Sequence, residues 1–309
     1  MYIVQKVDFF LYMYLEEFRS YLIHERNYST HTIKVYVVDV QGFVDFLQAH
    51  NSMVDIDRVE YLDIRKWIIH LVDSGISNRS VNRKIASLKA YYKFLQRIEV
   101  REGNPLSYHQ PLKVDAKIQV PFSKKEMEKV FEQPLDSANF NSVRNLLIIG
   151  LLYATGIRRT ELIDLKLSSL YIRERKIQVL GKGNKERLVP LLPWCVELIE
   201  DYLELRRKLP KAIKTDLLLL TEKGKPIYPS LVYRVVQDTF KQISGKQTKS
   251  PHIIRHTFAT HLLDEGADLM AIKELLGHAS LASTQVYTHN SMQKLKQVYK
   301  TAHPRNMKK

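Results

Sequence analysis

Apolar residues recur at helical spacing through the first hundred positions. Leu11, Leu15, Phe18 and Leu22 form one stripe. Ile33, Val37, Val40, Val44 and Leu47 form a second, behind the capping candidates Ser29 and Thr30. Ile64, Trp67, Ile68 and Leu71 mark a shorter helix, and Val81, Ile85, Leu88, Tyr92 and Leu95 mark a fourth, preceded by Ser77 and Ser80. The other face of that fourth helix carries Asn78, Arg79, Asn82, Arg83, Lys84 and Lys89. Periodicity then fails from Arg101 to Val120, where Gly103, Pro105 and Pro111 fall and Pro121 closes the stretch.

Helical signals resume at once. Ser123-Lys124-Lys125-Glu126 has capping-box spacing, in which Ser123 accepts from the backbone three residues on and Glu126 reaches back. Leu146 to Tyr153 reads as a buried helix end. Ile177 and Val179 then alternate with polar neighbours, Gly181-Lys182-Gly183-Asn184 interrupts, and Leu188-Val189-Pro190 follows, which predicts a β-hairpin. Helical pattern returns after Pro193 and Ser230, and Ser250-Pro251 supplies a cap followed by proline at the first helical position. The chain therefore reads as mainly α with a small β insert. Its two domains are a helical one over residues 1–100 and a second over 121–309, joined by a linker at 101–120. The second domain starts near Ile118 to Ser123.

Composition narrows the class. A length of 309 residues fits about two domains, and 45% hydrophobic with 26% charged residues excludes disordered and collagen-like chains. Lys+Arg of 48 against Asp+Glu of 33 leaves +15, which favours a polyanionic partner, nucleic acid or an acidic membrane surface. The Arg79, Asn82, Arg83 and Lys84 face is then either a solvated charged surface or a helix laid against DNA phosphates. Cys195 stands alone, which excludes an internal disulfide framework and a CxxC metal knuckle and fits a reducing cytosol. No apolar run approaches the roughly 20 residues of a membrane span. Asp8, Glu16 and Glu17 interrupt Val7 to Phe18, so that segment reads as an amphipathic helix and not a signal peptide.

Several residues can carry chemistry. On a helix, His252, Arg255 and His256 share one face. Three readings of that face stand. It is a metal site, although Ile253 occupies the place where the metalloprotease pattern needs Glu; a hydrogen-bonded core histidine beside an Arg; or a phosphate clamp built on a planar guanidinium. Arg158 lies just past a glycine turn in Ala154-Thr155-Gly156-Ile157-Arg158-Arg159-Thr160-Glu161-Leu162. Lys182 sits at the hairpin tip, His278 follows the helix stop Gly277, and Tyr287 lies in Thr284-Gln285-Val286-Tyr287-Thr288-His289.

Taken in order, Arg158, Lys182, His252, Arg255, His278 and Tyr287 resemble the catalytic set of the tyrosine recombinase family. TGIRRTEL, GKGNKERLVPL, HIIRHTFATHLL, IKELLGH and TQVYTH are similar to that family's motifs, over about Phe122 to His303. The N-terminal helices resemble its SAM-like core-binding domain, so the resemblance implies a two-domain clamp around DNA. Within the family the likeness is nearest to the Xer recombinases, which resolve chromosome dimers.

The resemblance implies transesterification at a DNA phosphodiester with neither metal nor cofactor. Tyr287 would attack phosphorus to give a 3′-phosphotyrosyl link, and His252 would be the candidate base for a phenol of ordinary pKa near 10. Arg158 and Arg255 would stabilise the charge developing on the nonbridging oxygens. Lys182 would protonate the 5′-oxygen, His278 would hydrogen-bond the phosphate, and Glu161 would orient Arg158; His256 and His289 would be structural. Implied partners are double-stranded DNA at a specific site, a homo- or hetero-tetramer with a related recombinase, and a septal DNA translocase; no membrane is implied and the location is cytoplasmic. The C-terminal helix would dock on a neighbouring protomer through Leu295, Val298 and Tyr299. An integrase of a mobile element has the same chemistry, a type IB topoisomerase shares it as a monomer without site preference, and a metal-dependent nuclease and a DNA-binding protein without catalysis are the other rivals.

Overall fold

A computed structural model describes residues 14–50, 56, 58–115, 119–181, 185–209 and 215–277. The chain divides into two compact units, Met1–Lys117 and Ile118–Lys309.

The first unit is helical. Residues 14–24 form α1; α2 is Thr30–Ala49, α3 is Tyr61–Asp73 and α4 is Asn78–Arg97. The Ser29 side chain caps α2 by accepting from the Thr32 N–H, and Ser77 caps α4 by accepting from Ser80. The apolar stripes face inward, burying Phe18, Val40, Phe43, Ile64, Trp67, Leu88, Tyr91 and Tyr92 in one core. Asp39, at 1% exposure, interrupts this apolar packing. Its carboxylate accepts from Ser87 Oγ at 2.8 Å and Lys84 Nζ at 3.3 Å, and it pairs with Arg83.

Residues 101–115 lack helical pattern yet are fastened to this unit. Leu106 is fully buried, and Arg101 Nη1 donates to the Val59 carbonyl at 2.7 Å. The Asn82 amide takes the Leu112 N–H and donates to the Leu112 carbonyl, both at 2.8 Å, and Asn78 donates to the Lys113 carbonyl. Side-chain amides thus substitute for the ladder that an irregular segment lacks.

The second unit opens on α5 (Lys124–Glu132) with the expected capping box between Ser123 and Glu126. Phe122 stacks on Phe240 at 3.8 Å between centroids. Helix α6 (Phe140–Thr155) is buried on nearly every side, as its Leu-Ile run on both sides of Gly150 requires, and α8 (Pro193–Arg207), α9 (Pro229–Lys241) and α10 (Pro251–Asp264) surround it. All three of these neighbours carry proline in the first turn. Between them lie the five-residue α7 (Arg159–Ile163), a 3₁₀ turn, and an antiparallel sheet β1 (Leu170–Tyr171), β2 (Lys176–Leu180), β3 (Glu186–Pro190) in sequence order. The register pairs Ile177 with Val189 and Val179 with Arg187. Helix α11 (Leu269–Leu276) ends on Gly277. Among the described residues no helix is long and apolar enough to cross a membrane.

Candidate active site

Two helix ends make the site. Helix α6 stops on Gly156 at φ +60°, and α11 stops on Gly277 at φ +63°. A β-carbon at Gly156 would stand 2.3 Å from Phe258 Cδ1, so the left-handed stop and the close packing both need glycine there. Carbonyls at these stops lack intrahelical partners and carry the negative end of the helix dipole. Guanidinium groups satisfy them. Arg255 of α10 donates through Nη1 to the Gly156 carbonyl and through Nη2 to the Leu276 carbonyl, both at 2.6 Å. Arg158 Nη2 donates to the Gly277 carbonyl at 3.3 Å.

Glu161 secures Arg158 from the other side. Arg158 is the N-cap of α7, its backbone N–H donates to Glu161 Oε2 at 2.8 Å, and its Nη1 donates to Oε1 at 2.8 Å. The residue order Arg-x-x-Glu therefore makes the reach-back half of a capping box and an ion pair at once. A third arginine completes the cluster. Arg187 of β3 is 5% exposed and forks onto Glu161, Nη1 to Oε1 at 3.0 Å and Nη2 to Oε2 at 2.8 Å, while its Nε donates to the Leu275 carbonyl at 2.9 Å.

The charges respond. Burial pushes the Glu161 carboxyl up, but hydrogen bonds from Arg187 and from the Arg158 backbone override it and hold the group at about 2. Burial, then the Arg158 cation, push Arg255 down to about 10, which leaves it charged at neutral pH. Arg158 and Arg187 pair with the one carboxylate and Arg255 with backbone carbonyls, so the site holds surplus positive charge suited to an anion. His252 stands on α10 three residues before Arg255. Its ring is open to solvent on one side yet partly desolvated; that desolvation first, then the Arg159, Arg255 and Arg158 cations, hold its pKa below the ordinary imidazole value. It is neutral at neutral pH.

The structure thus gathers Arg158, Glu161, His252 and Arg255 in one place. Lys182, His278 and Tyr287 lie outside the described residues, as do His289, Leu295, Val298 and Tyr299. Lys182 directly follows Gly181, whose N–H donates to the Lys185 carbonyl at 2.7 Å to close the hairpin base, and His278 directly follows the α11 stop. His256 is exposed. On α4, Arg79 is exposed, the Asn82 amide is engaged by Leu112, and Arg83 and Lys84 rest on Asp39. Arg187 went unnoticed in the sequence although its signal was there. It alternates in phase with Val189, so a hairpin with one buried face turns a charged side chain inward. Among the described residues no group of three or more His, Cys, Asp or Glu could hold a metal ion.

Comparison with known proteins gives the family and the fold. Residues 110–294 match the phage integrase family, and residues 15–99 match the phage integrase N-terminal SAM-like domain. The chain is 39% identical to tyrosine recombinase XerC of Staphylococcus epidermidis, covering 95% of this chain and 98% of that protein. It is 35% identical to tyrosine recombinase XerC of Chlorobaculum parvum, covering 94% of both. Among solved structures, the XerH recombinase bound to palindromic difH substrate superposes with a TM-score of 0.68 at 24% identity over 89% of this chain and 81% of that one. The Tn1549 transposon integrase with a circular-intermediate DNA gives 0.67 at 21% identity over 92% and 98%. These two likenesses concern the fold.

Proposed function

The chain belongs to the phage integrase family and is a tyrosine site-specific DNA recombinase; from that premise we propose that it resolves chromosome dimers, using Tyr287 as its nucleophile. The observation that carries the chemistry is the pair of arginines, Arg158 and Arg255, fixed by the carbonyls of two glycine-stopped helices beside a neutral His252. An arrangement already ordered before substrate arrives needs no reorganisation as charge builds up, which is the condition for effective electrostatic catalysis.

In the proposed reaction the Tyr287 phenolic oxygen forms a bond to phosphorus as the bond from phosphorus to the 5′-oxygen breaks. The phenolic proton passes to His252, and Lys182 delivers a proton to the departing 5′-oxygen. Arg158 and Arg255 oppose the charge on the nonbridging oxygens, with His278 as a further donor. Because the phosphotyrosyl ester conserves the bond energy, the reverse attack by a 5′-hydroxyl rejoins a strand. Glu161 orients Arg158. Double-stranded DNA is the substrate and four protomers assemble on two sites. The +15 net charge supports such a partner, and the structurally similar XerH is bound to its difH substrate. Dimer resolution is supported by the XerC relatives that match along nearly the whole chain.

A nicked suicide duplex tests the chemistry. Wild type accumulates a covalent protein–DNA adduct and Tyr287→Phe accumulates none; equal adduct from both variants refutes the assignment. Mapping the protein on its own chromosome tests the biology. One peak near the replication terminus fits dimer resolution, and peaks at mobile-element ends refute it.

A further inference from the structure

Arg187 has no part in the reaction just described, yet it is the most heavily engaged cation in the pocket. Glu161 is 6% exposed and accepts from two guanidiniums, Arg158 and Arg187, on Oε1 and from Arg187 and the Arg158 backbone on Oε2. The side chains are layered. Those of Glu161 and Arg187 are 4% and 6% exposed, whereas that of Arg158 is 31% exposed. Arg187 thus stands behind the carboxylate and Arg158 in front of it, toward solvent. Arg187 takes both oxygens in a fork, the stronger geometry, whereas the Arg158 guanidinium reaches the carboxylate through Nη1 to Oε1 alone, its backbone N–H taking Oε2.

Resting on the proposed recombinase chemistry, we infer that Arg187 is a positioning residue: it neutralises Glu161 from behind, so that Glu161 orients Arg158 without cancelling its charge. A buried carboxylate with one counter-ion would draw that ion into a closed pair. Arg158 is that ion when Arg187 is lost, and its charge retreats from the phosphate. A carboxylate with two counter-ions leaves one unit of positive charge to the ligand. Arg187 also ties three segments together. It springs from β3, next to the hairpin base; it binds the Leu275 carbonyl on α11; and its Nη1 lies 3.2 Å from where a Gly277 β-carbon would be. The segments leading into Lys182 and His278 are thereby held to the Arg158–Glu161 pair.

The test is a rescue. On the suicide duplex, Arg187→Met lowers the rate of adduct formation by about 100-fold, the loss expected when a preorganised donor is removed, while DNA affinity is retained. Glu161→Gln in the same chain removes the carboxylate that captures Arg158, and raises the rate of the Arg187→Met protein by at least about tenfold, a coupling typical of residues sharing one network. A residue that merely holds the fold predicts the opposite, because a second lesion in one buried cluster adds to the first. A double variant no faster than Arg187→Met overturns the inference. Should Arg187→Met fail to melt cooperatively, Arg187→Gln, which removes the charge but keeps a polar donor, is compared on a duplex whose scissile phosphate is a neutral methylphosphonate. A smaller loss on the neutral linkage than on the charged one supports the inference, and equal losses overturn it. Wild type that forms no adduct defeats the underlying chemistry instead, so the two failures are separable.

Discussion

Gly156→Ala strikes the point where α6 stops and Arg255 is held. The backbone there has φ +60°, a conformation that costs an L-residue with a β-carbon about 1–2 kcal/mol. The new methyl carbon would lie 2.3 and 2.6 Å from two Phe258 ring carbons and 2.9 Å from Leu276 Cδ2. Phe258 is fully buried, so overpacking adds about 1–3 kcal/mol. The loss is therefore about 2–5 kcal/mol from the second unit, and its melting temperature falls by about 2–4 °C for each of these. The chain's two tryptophans divide between the units, Trp67 in the first and Trp194 in the second. Urea unfolding followed by Trp194 fluorescence in a Trp67→Phe background thus reports the second unit. Arg255 donates to the Gly156 carbonyl, so adduct formation falls as well. A loss below about 1 kcal/mol, the ordinary level for a point substitution, would refute the claim that this glycine is required by both conformation and space.

Three further outcomes are expected. Glu161 titrates at about 2 in the fold against an ordinary 4.5, so its contribution of about 3 kcal/mol is complete above pH 4.5 and disappears as pH falls toward 2; Glu161→Gln flattens that limb of the stability–pH curve, and an unchanged limb contradicts the pairing. Arg159→Ala removes a cation that depresses His252, so the acid limb of the adduct-formation rate moves to higher pH; a limb that stays fixed shows that His252 does not govern it. Asp39→Asn removes the buried negative charge that Arg83 and Lys84 pair with, turns one of its two acceptor oxygens into a donor, and costs the first unit about 1–3 kcal/mol in denaturant unfolding, with no loss speaking against a structural role for the cluster.

Most helices of both units were legible from an apolar repeat, and several from a local cap as well. Ser29, Ser77, Ser123 and Ser250 all act as the caps that their positions imply. The hairpin was legible from alternation at Ile177 and Val179 and the glycines after them. The motif residues Arg158, Glu161, His252 and Arg255 do converge, though nothing in their spacing foretells that helix-end carbonyls hold the arginines. That depends on α6 and α11 ending side by side, a long-range fact. Asp39 and Arg187 were missed for one reason. Each is a charged residue at an inward position, paired with a partner distant in sequence, and a local pattern discloses the position but not the partner. Asn82 shows the converse, a polar residue on an outward face whose amide is used by the Leu112 backbone.

A phenol esterified to DNA beside fixed guanidiniums is the intermediate on which the proposed reaction turns. Trapping the protein on a labelled suicide duplex in EDTA, digesting the adduct and sequencing the labelled peptide measures this directly. The 3′-phosphate is expected on Tyr287 alone; a label on any other side chain, or an adduct that forms only when a divalent metal is present, contradicts that reaction.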